Sequence, residues 1–277
     1  MSDIRLINDS EQTALLSTAL NGEIYMKAAG STNEGALVVF DNGSWRTFAD
    51  EAVSYSNTYS LSMDGVDDYA TTATSVLNFY NTGGSISAWI KPSSVTDSQT
   101  TPFTNRSIIS KGDVYLGLNL NEAGYPTLYF YDGAIREVVA TTQVSTSSWM
   151  HICATWSTTG SAIYVNGTSE ATSSNTPADI DSGQTGGNVF IGRTENVSPD
   201  YFGGLIDELA VFNTELSSSN VTSIYNSGTP DDISSFSPVN WWRMGDNDSG
   251  TTITDQGSGG NDGTLTNGPT FSTTVPS

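Results

Sequence analysis

Trp149-Met150-His151-Ile152-Cys153-Ala154-Thr155-Trp156 is the stretch whose reading decides the fold. Ile152, Ala154 and Trp156 fall on every second residue, so an extended chain puts them on one face. Ser85-Ile86-Ser87-Ala88-Trp89-Ile90 repeats the pattern, with Ile86, Ala88 and Ile90 together. Downstream of Trp156 come Thr158-Thr159-Gly160, the run Ala162-Ile163-Tyr164-Val165 and the turn Asn166-Gly167. The ten residues from Gly203 to Phe212 read as a further, long strand. Period-2 alternation broken by Gly and Asn turns predicts half-buried antiparallel strands across about 53 to 230. The fold class that follows is all-β, a two-sheet antiparallel sandwich. One helix interrupts it. Ser217 is placed to cap it, Val221, Ile224 and Tyr225 keep helical spacing, Gly228 ends it and Pro230 stops it.

Composition agrees. Ser, Thr, Asn and Gly are abundant and charged residues make up only 14%, which favours strands joined by polar loops. The 36% hydrophobic content still furnishes a core. Nine Lys+Arg against 30 Asp+Glu give a formal net charge of −21. Such a surface repels phosphate backbones and anionic lipid, which argues against nucleic acid and membrane insertion. It suits a soluble particle in high salt, where screening blunts self-repulsion.

Cys153 is the one cysteine, which rules out an intrachain disulfide, and its apolar neighbours Ile152 and Ala154 predict a buried, inert thiol. Met1 to Leu20 has neither a basic n-region nor an apolar h-region, so no signal peptide is expected and synthesis is assigned to a cytoplasm.

Residues 1–52 form a segment of their own pattern, with short strands expected at Glu23 to Lys27 and at Ala36 to Phe40. Asn42-Gly43 between Phe40 and Trp45 signals a two-residue hairpin, because both central positions of a type I′ turn need positive φ. So small a piece buries little core by itself, and an attachment or oligomerisation module is expected here. The alternative is an extra hairpin packed on the sandwich. Residues 53–277 are then the sandwich, and its last part, 239–277, carries Val239-Asn240-Trp241-Trp242-Arg243-Met244 and a glycine-rich run from Asp255 to Leu265.

Seven short stretches now fall into a family order. They are Leu61-Ser62-Met63-Asp64-Gly65-Val66-Asp67-Asp68-Tyr69, the run from Ile86 to Pro92, Ile108-Ile109-Ser110-Lys111-Gly112, Trp149 to Trp156, Ile163-Tyr164-Val165-Asn166-Gly167, Ile191-Gly192-Arg193 and Phe202 to Leu209. In that sequence they resemble laminin-G-like, concanavalin A-like jelly-roll domains. The run from Trp241 to Gly268 resembles the stretch that precedes Asp64-Gly65 in that family, yet here it comes last. Circular permutation, with 239–277 completing the sandwich from the other end, is the reading favoured over a truncated second repeat. The pattern together with the trailing Trp-Trp-Arg-Met is also similar to virion proteins of marine tailed bacteriophages. That resemblance implies a virion location, as a head-decoration or fibre subunit partnered by itself and by other virion proteins.

Three chemistries follow for testing. Some relatives hydrolyse glycans with two carboxylates roughly 5 to 9.5 Å apart. Asp207 and Glu208 are adjacent, which on a regular strand sends them to opposite faces, and His151 has no nucleophile arrangement around it, so no catalytic residue is expected and the chain is read as a non-enzyme. The family resemblance implies a structural calcium held by Asp64, Asp67, Asp68 and Asp207, all hard oxygen donors. Asp207 shares strand parity with Leu205, Leu209 and Val211, an unusual place for an unpaired charge; a carboxylate accepting backbone hydrogen bonds is the alternative. Cell-surface glycans are the expected ligands, with Tyr115, Tyr125, Tyr129, Tyr131 and Tyr201 as stacking platform, against the alternative of half-buried structural tyrosines. The reading as a whole is a virion surface protein displaying a glycan-binding sandwich, with a calcium-dependent lectin module as its alternative.

Overall fold

The computed structural model describes residues 55–277 apart from 79–80, 97–105, 113–114, 180–186 and 196–200, together with four strands inside 1–54. The chain divides into two compact units, Met1–Tyr55 and Ser56–Ser277. The first unit holds β1 (Arg5–Ile7), β2 (Ile24–Lys27), β3 (Leu37–Asp41) and β4 (Ser44–Phe48) in one sheet of that order. β1 and β2 run parallel, and β3 and β4 antiparallel with Asp41 opposite Ser44, so Asn42 and Gly43 alone connect them. The conformation of those two residues lies outside the described ones.

The second unit is a sandwich. Its strands are β5 (Ser60–Asp64), β6 (Tyr69–Thr72), β7 (Gly84–Pro92), β8 (Arg106–Lys111), β9 (Leu116–Leu120) and β10 (Pro126–Tyr131). They continue as β11 (Ile135–Val139), β12 (Met150–Trp156), β13 (Ser161–Val165), β14 (Thr168–Ser173), β15 (Val189–Ile191) and β16 (Gly203–Phe212). Helix α1 (Ser218–Tyr225) follows, and then β17 (Asn240–Trp242), β18 (Thr252–Ile253), β19 (Gly263–Thr266) and β20 (Thr270–Ser272). Sheet I has the order β11-β10-β9-β8-β15-β6-β19-β18. Sheet II has the order β14-β13-β12-β7-β16-β5-β20, with β17 on β16 beyond the end of β5. Every described pairing in the two sheets is antiparallel. The two-sheet antiparallel sandwich expected from alternation, and the jelly roll that the family resemblance implies, are the fold observed.

Alternation also locates the core. Ile86, Ala88 and Ile90 of β7 and Ile152, Ala154 and Trp156 of β12 meet Leu116, Leu118 and Leu120 of β9 and Leu128 and Phe130 of β10 between the sheets. Residues 239–277 enter both layers: β17 and β20 join sheet II, β18 and β19 join sheet I, and Trp242 and Met244 are wholly buried in the same core.

The opposite face of sheet II is buried too. Ser85, Ser87 and Trp89 of β7 and His151, Cys153 and Thr155 of β12 are 3% exposed or less, where simple alternation predicts a wet face. Helix α1 covers part of it through Val221 and Ile224. Ser217 caps the helix by accepting from the Asn220 N–H, as its sequence position predicts. Asn226, at φ 44°, closes it two residues before Gly228, because Asn tolerates the left-handed region.

Candidate functional site

The turn joining β13 to β14 borders an open concavity on this face. Asn166 (φ 48°) and Gly167 (φ 75°) both take the left-handed conformation that a type I′ hairpin turn demands. Asn166 then locks onto β12 twice: its N–H donates to the His151 carbonyl at 2.8 Å, and its Oδ1 accepts from the His151 N–H at 2.9 Å. Gly167 has a second reason to be glycine, since a Cβ there would stand 2.9 Å from the Tyr225 ring. The Thr222 hydroxyl donates to the Gly167 carbonyl at 3.1 Å, docking the helix on the turn.

That docking leaves an open groove of about 320 Å³ lined by Trp89, Ser148, Trp149, Asn166, Tyr225 and Ser277. Trp89 stacks on Tyr225 with centroids 5.7 Å apart, and His151 lies against both. Trp89 is buried beneath, whereas Trp149 and Tyr225 are part-exposed and offer their surfaces to the groove. The Trp149 Nε1 is buried without a hydrogen-bond partner among the described residues, and the lining side chains carry no charge. His151 is structural: its Nε2 shares a 2.8 Å hydrogen bond with the Ser87 hydroxyl, and burial pushes its imidazole down to about 3. Cys153 is wholly buried, which pushes its thiol up and keeps it inert, as expected.

The five tyrosines singled out from the sequence do not form one platform. Tyr129 is buried, its ring over Gly117, where a Cβ would come within 2.5 Å. Tyr115 packs on Gly112 in the same way, and Tyr131 ends β10. Tyr125 precedes the opposite end of β10, roughly 20 Å away at about 3.3 Å per residue. Tyr201 sits across the sheet beside Arg193 and Tyr69, beyond the intervening strands β9 and β8. The groove aromatics were missed because Trp89, Trp149 and Tyr225 come from three distant segments. Only the β7–β12 pairing, with Trp89 opposite His151, and the docking of α1 unite them.

Of the four candidate calcium ligands, three converge. Asp64, Asp67 and Asp68 each bring a carboxylate oxygen within 4.8 Å of the others. Asp64 Oδ1 accepts from the Val66 and Asp67 N–H groups, which holds its carboxyl below the usual range, and Asp68 Oδ2 accepts from the Asp64 N–H. The second oxygens of Asp64 and Asp68 and the Asp67 carboxylate have no protein donor among the described residues. Hard oxygens so placed suit calcium in kind, though calcium needs six to eight ligands and these supply a minority.

Asp207 cannot join them. Gly203 pairs with Asp64, and Asp207 lies four residues further along β16, roughly 13 Å away. Its assignment to the core-facing side is also corrected. Between the pairs Asp207–Trp89 and Ala210–Ser87 the strand carries an extra residue, a bulge in which Glu208 takes φ 48°. The bulge reverses parity: Ile206, Leu209 and Val211 face the core, and Asp207 faces the covered side with Trp89. For the same reason Asp207 and Glu208 do not point to opposite faces. Instead burial, with the neighbouring Glu208 charge added to it, lifts the Asp207 carboxyl well above its ordinary value. Both are committed to structural bonds. Asp207 accepts from Asn57 Nδ2 at 2.9 Å and from the Glu208 N–H at 2.8 Å; Glu208 accepts from Trp241 Nε1 at 2.5 Å and Arg243 Nε at 3.2 Å.

A solved structure of a candidate carbohydrate-binding protein from Bacteroides ovatus matches with 18% identity and a TM-score of 0.62, over 93% of this chain and 71% of that one. A CBM40 domain of Ruminococcus gnavus IT-sialidase, solved with α2,3-sialyllactose, matches at 16% identity and TM-score 0.47, over 62% of this chain and 100% of that one. A pentraxin from Limulus polyphemus gives 15% and 0.44, over 61% of this chain and 82% of that one. Identities so low speak to fold alone. No curated protein matches this chain. The sequence pattern described as concanavalin A-like lectin/glucanases superfamily matches residues 64–222, more than half of the length, and with the two-layer jelly roll in view the chain belongs to that superfamily.

Proposed function

We propose that the chain is a non-catalytic glycan-binding protein, and that the groove between α1 and the β13–β14 turn receives a neutral sugar. The observation that carries this reading is the pairing of part-exposed Trp149 and Tyr225 with the Asn166 carboxamide around about 320 Å³ of open space. Aromatic faces accept the apolar side of a pyranose, while an amide bonds its hydroxyls. The lining side chains carry no charge and offer no cation to an acidic sugar, which favours neutral sugars, and the candidate carbohydrate-binding protein of like fold lends support. Isothermal titration against neutral oligosaccharides tests it. Trp149→Ala should weaken binding about tenfold, near 1.4 kcal/mol. Asn166→Asp keeps the Oδ1 that holds His151 and the turn conformation but removes the amide donor, so it should cost about threefold to tenfold. Full affinity in both variants would sink the groove.

Calcium belongs to the same proposal, held by Asp64, Asp67 and Asp68 without Asp207. Its expected signature is a lower melting temperature after chelation, restored by added calcium, and an identical melt in both conditions would remove it. The setting we favour is a virion surface, with residues 1–52 as attachment and oligomerisation module. Support comes from the resemblance to marine phage virion proteins and from the separate compact unit over residues 1–55.

A further inference from the structure

Arg193 is held on the outer face of sheet I by three rings. Its guanidinium carbon lies 4.6 Å from the centroid of Phe190, 4.8 Å from that of Tyr69 and 5.7 Å from that of Tyr201. The rings pack on one another as well, Tyr69 edge-on to Phe190 at 5.8 Å and tilted to Tyr201 at 6.4 Å. Phe190 is buried; Tyr69, Tyr201 and Arg193 are part-exposed.

The hydrogen bonding of this cation is incomplete. Its Nε donates to the adjacent Thr194 carbonyl at 2.7 Å, and neither terminal nitrogen has an acceptor among the described residues. The other guanidinium groups of the sandwich are taken. Arg136 pairs with Asp132, Arg243 with Glu208 and Asp246, and Arg106 donates to the carbonyls of Ser94 and Val95. In a chain with 30 acidic residues and nine basic ones, an arginine held by three rings with no carboxylate partner among the described residues stands apart from the other guanidinium groups. Stacking on rings leaves the in-plane N–H fork open, and that fork matches a carboxylate in bidentate geometry. The entropy of fixing the side chain is already spent in the free protein, which favours capture. Tyr69 and Tyr201 beside the fork supply faces on which a sugar ring can lie.

We propose that Arg193, with Tyr69 and Tyr201, forms a second binding site, for a carboxylate-bearing sugar of the uronic-acid type. The carboxylate accepts from the two terminal guanidinium nitrogens while the ring rests against tyrosine. The site is independent of the groove, and its ligand differs from the groove's in charge.

The test is titration of the full chain with an oligogalacturonate and with the matched neutral galactose oligomer. Wild type should bind the acidic oligomer more tightly than the neutral one at this site, with affinity falling as salt rises. Arg193→Gln should lose about tenfold or more for the acidic oligomer, as expected for a charge-assisted bidentate pair. Arg193→Lys keeps charge and bulk, so it guards against a folding defect; it should lose affinity because the fork is gone. Trp149→Ala should leave acidic binding unchanged, which separates failure of this site from failure of the groove. Equal binding of the two oligomers by wild type, no binding of the acidic one, or undiminished acidic binding in both Arg193 variants would overturn the assignment.

Discussion

Two buried residues on the covered face of sheet II respond to pH with opposite sign. His151 is neutral in the fold, its imidazole pushed by burial to about 3. The unfolded chain takes up a proton below about 6.5 where the folded chain does not, so this group's contribution is lost as pH falls between those values, at about 1.4 kcal/mol per unit. Asp207 works the other way. Burial and the neighbouring Glu208 charge raise its carboxyl, so its contribution is fully present below the unfolded value and is lost as pH rises through the folded one. Asp207→Asn isolates the second effect. The amide oxygen still accepts from the Glu208 N–H, and its NH2 can donate to Asn57 Oδ1, which is buried without a partner among the described residues, once the Asn57 amide flips. The variant should melt above wild type at pH 7–8, by about 2–4 °C for each kcal/mol gained, and the gap should close towards pH 4. A gap that does not vary across that range would show that Asp207 is ionised in the fold.

At the scale of elements, legibility followed parity. β7 and β12 were readable because Ile86, Ala88 and Ile90, and Ile152, Ala154 and Trp156, each repeat every second residue and face one core. The other parity misled, since Ser85, Ser87 and Thr155 look solvent-facing, yet they are buried beneath the cover that α1 and residues 229–238 help to form. Parity failed outright in β16, where one extra residue at Glu208 turns Asp207 away from Leu209 and Val211. Nothing in Gly203 to Phe212 announces a bulge, because its cause is remote: Trp241 and Arg243 of the C-terminal segment hold Glu208 where it is. The Trp-Trp-Arg-Met stretch thereby acquires a physical reading. Trp242 and Met244 fill the core, while Trp241 and Arg243 on the other side neutralise the bulge. The candidate site was less legible than the fold, because its three aromatics share no local spacing and meet only through sheet register and helix docking.

For the molecule as a whole, the two ends of the chain differ in kind. Residues 239–277 supply strands to both sheets, two fully buried core side chains, and the Arg243 that pairs Glu208 and Asp246. Removing them exposes the flanks of β5, β6 and β16 and leaves buried acids uncompensated, a loss of about 3–5 kcal/mol for a broken buried pair alone. That is a large part of the roughly 5–15 kcal/mol by which a domain is stable, before the lost core is counted. Residues 1–52 lie within a separate compact unit, and their described strands β1 to β4 form a sheet of their own. Truncation should therefore discriminate sharply. A chain ending at residue 238 should show no cooperative melt, whereas a chain beginning at residue 53 should keep the melting temperature and the sugar affinity of the full protein. If the N-terminal unit is the attachment module, sedimentation should find the full chain as a homo-oligomer and the chain from residue 53 as a monomer. An identical sedimentation profile for both would remove that role, and a lost melt in the N-terminal truncation would show that the sandwich depends on the unit before it.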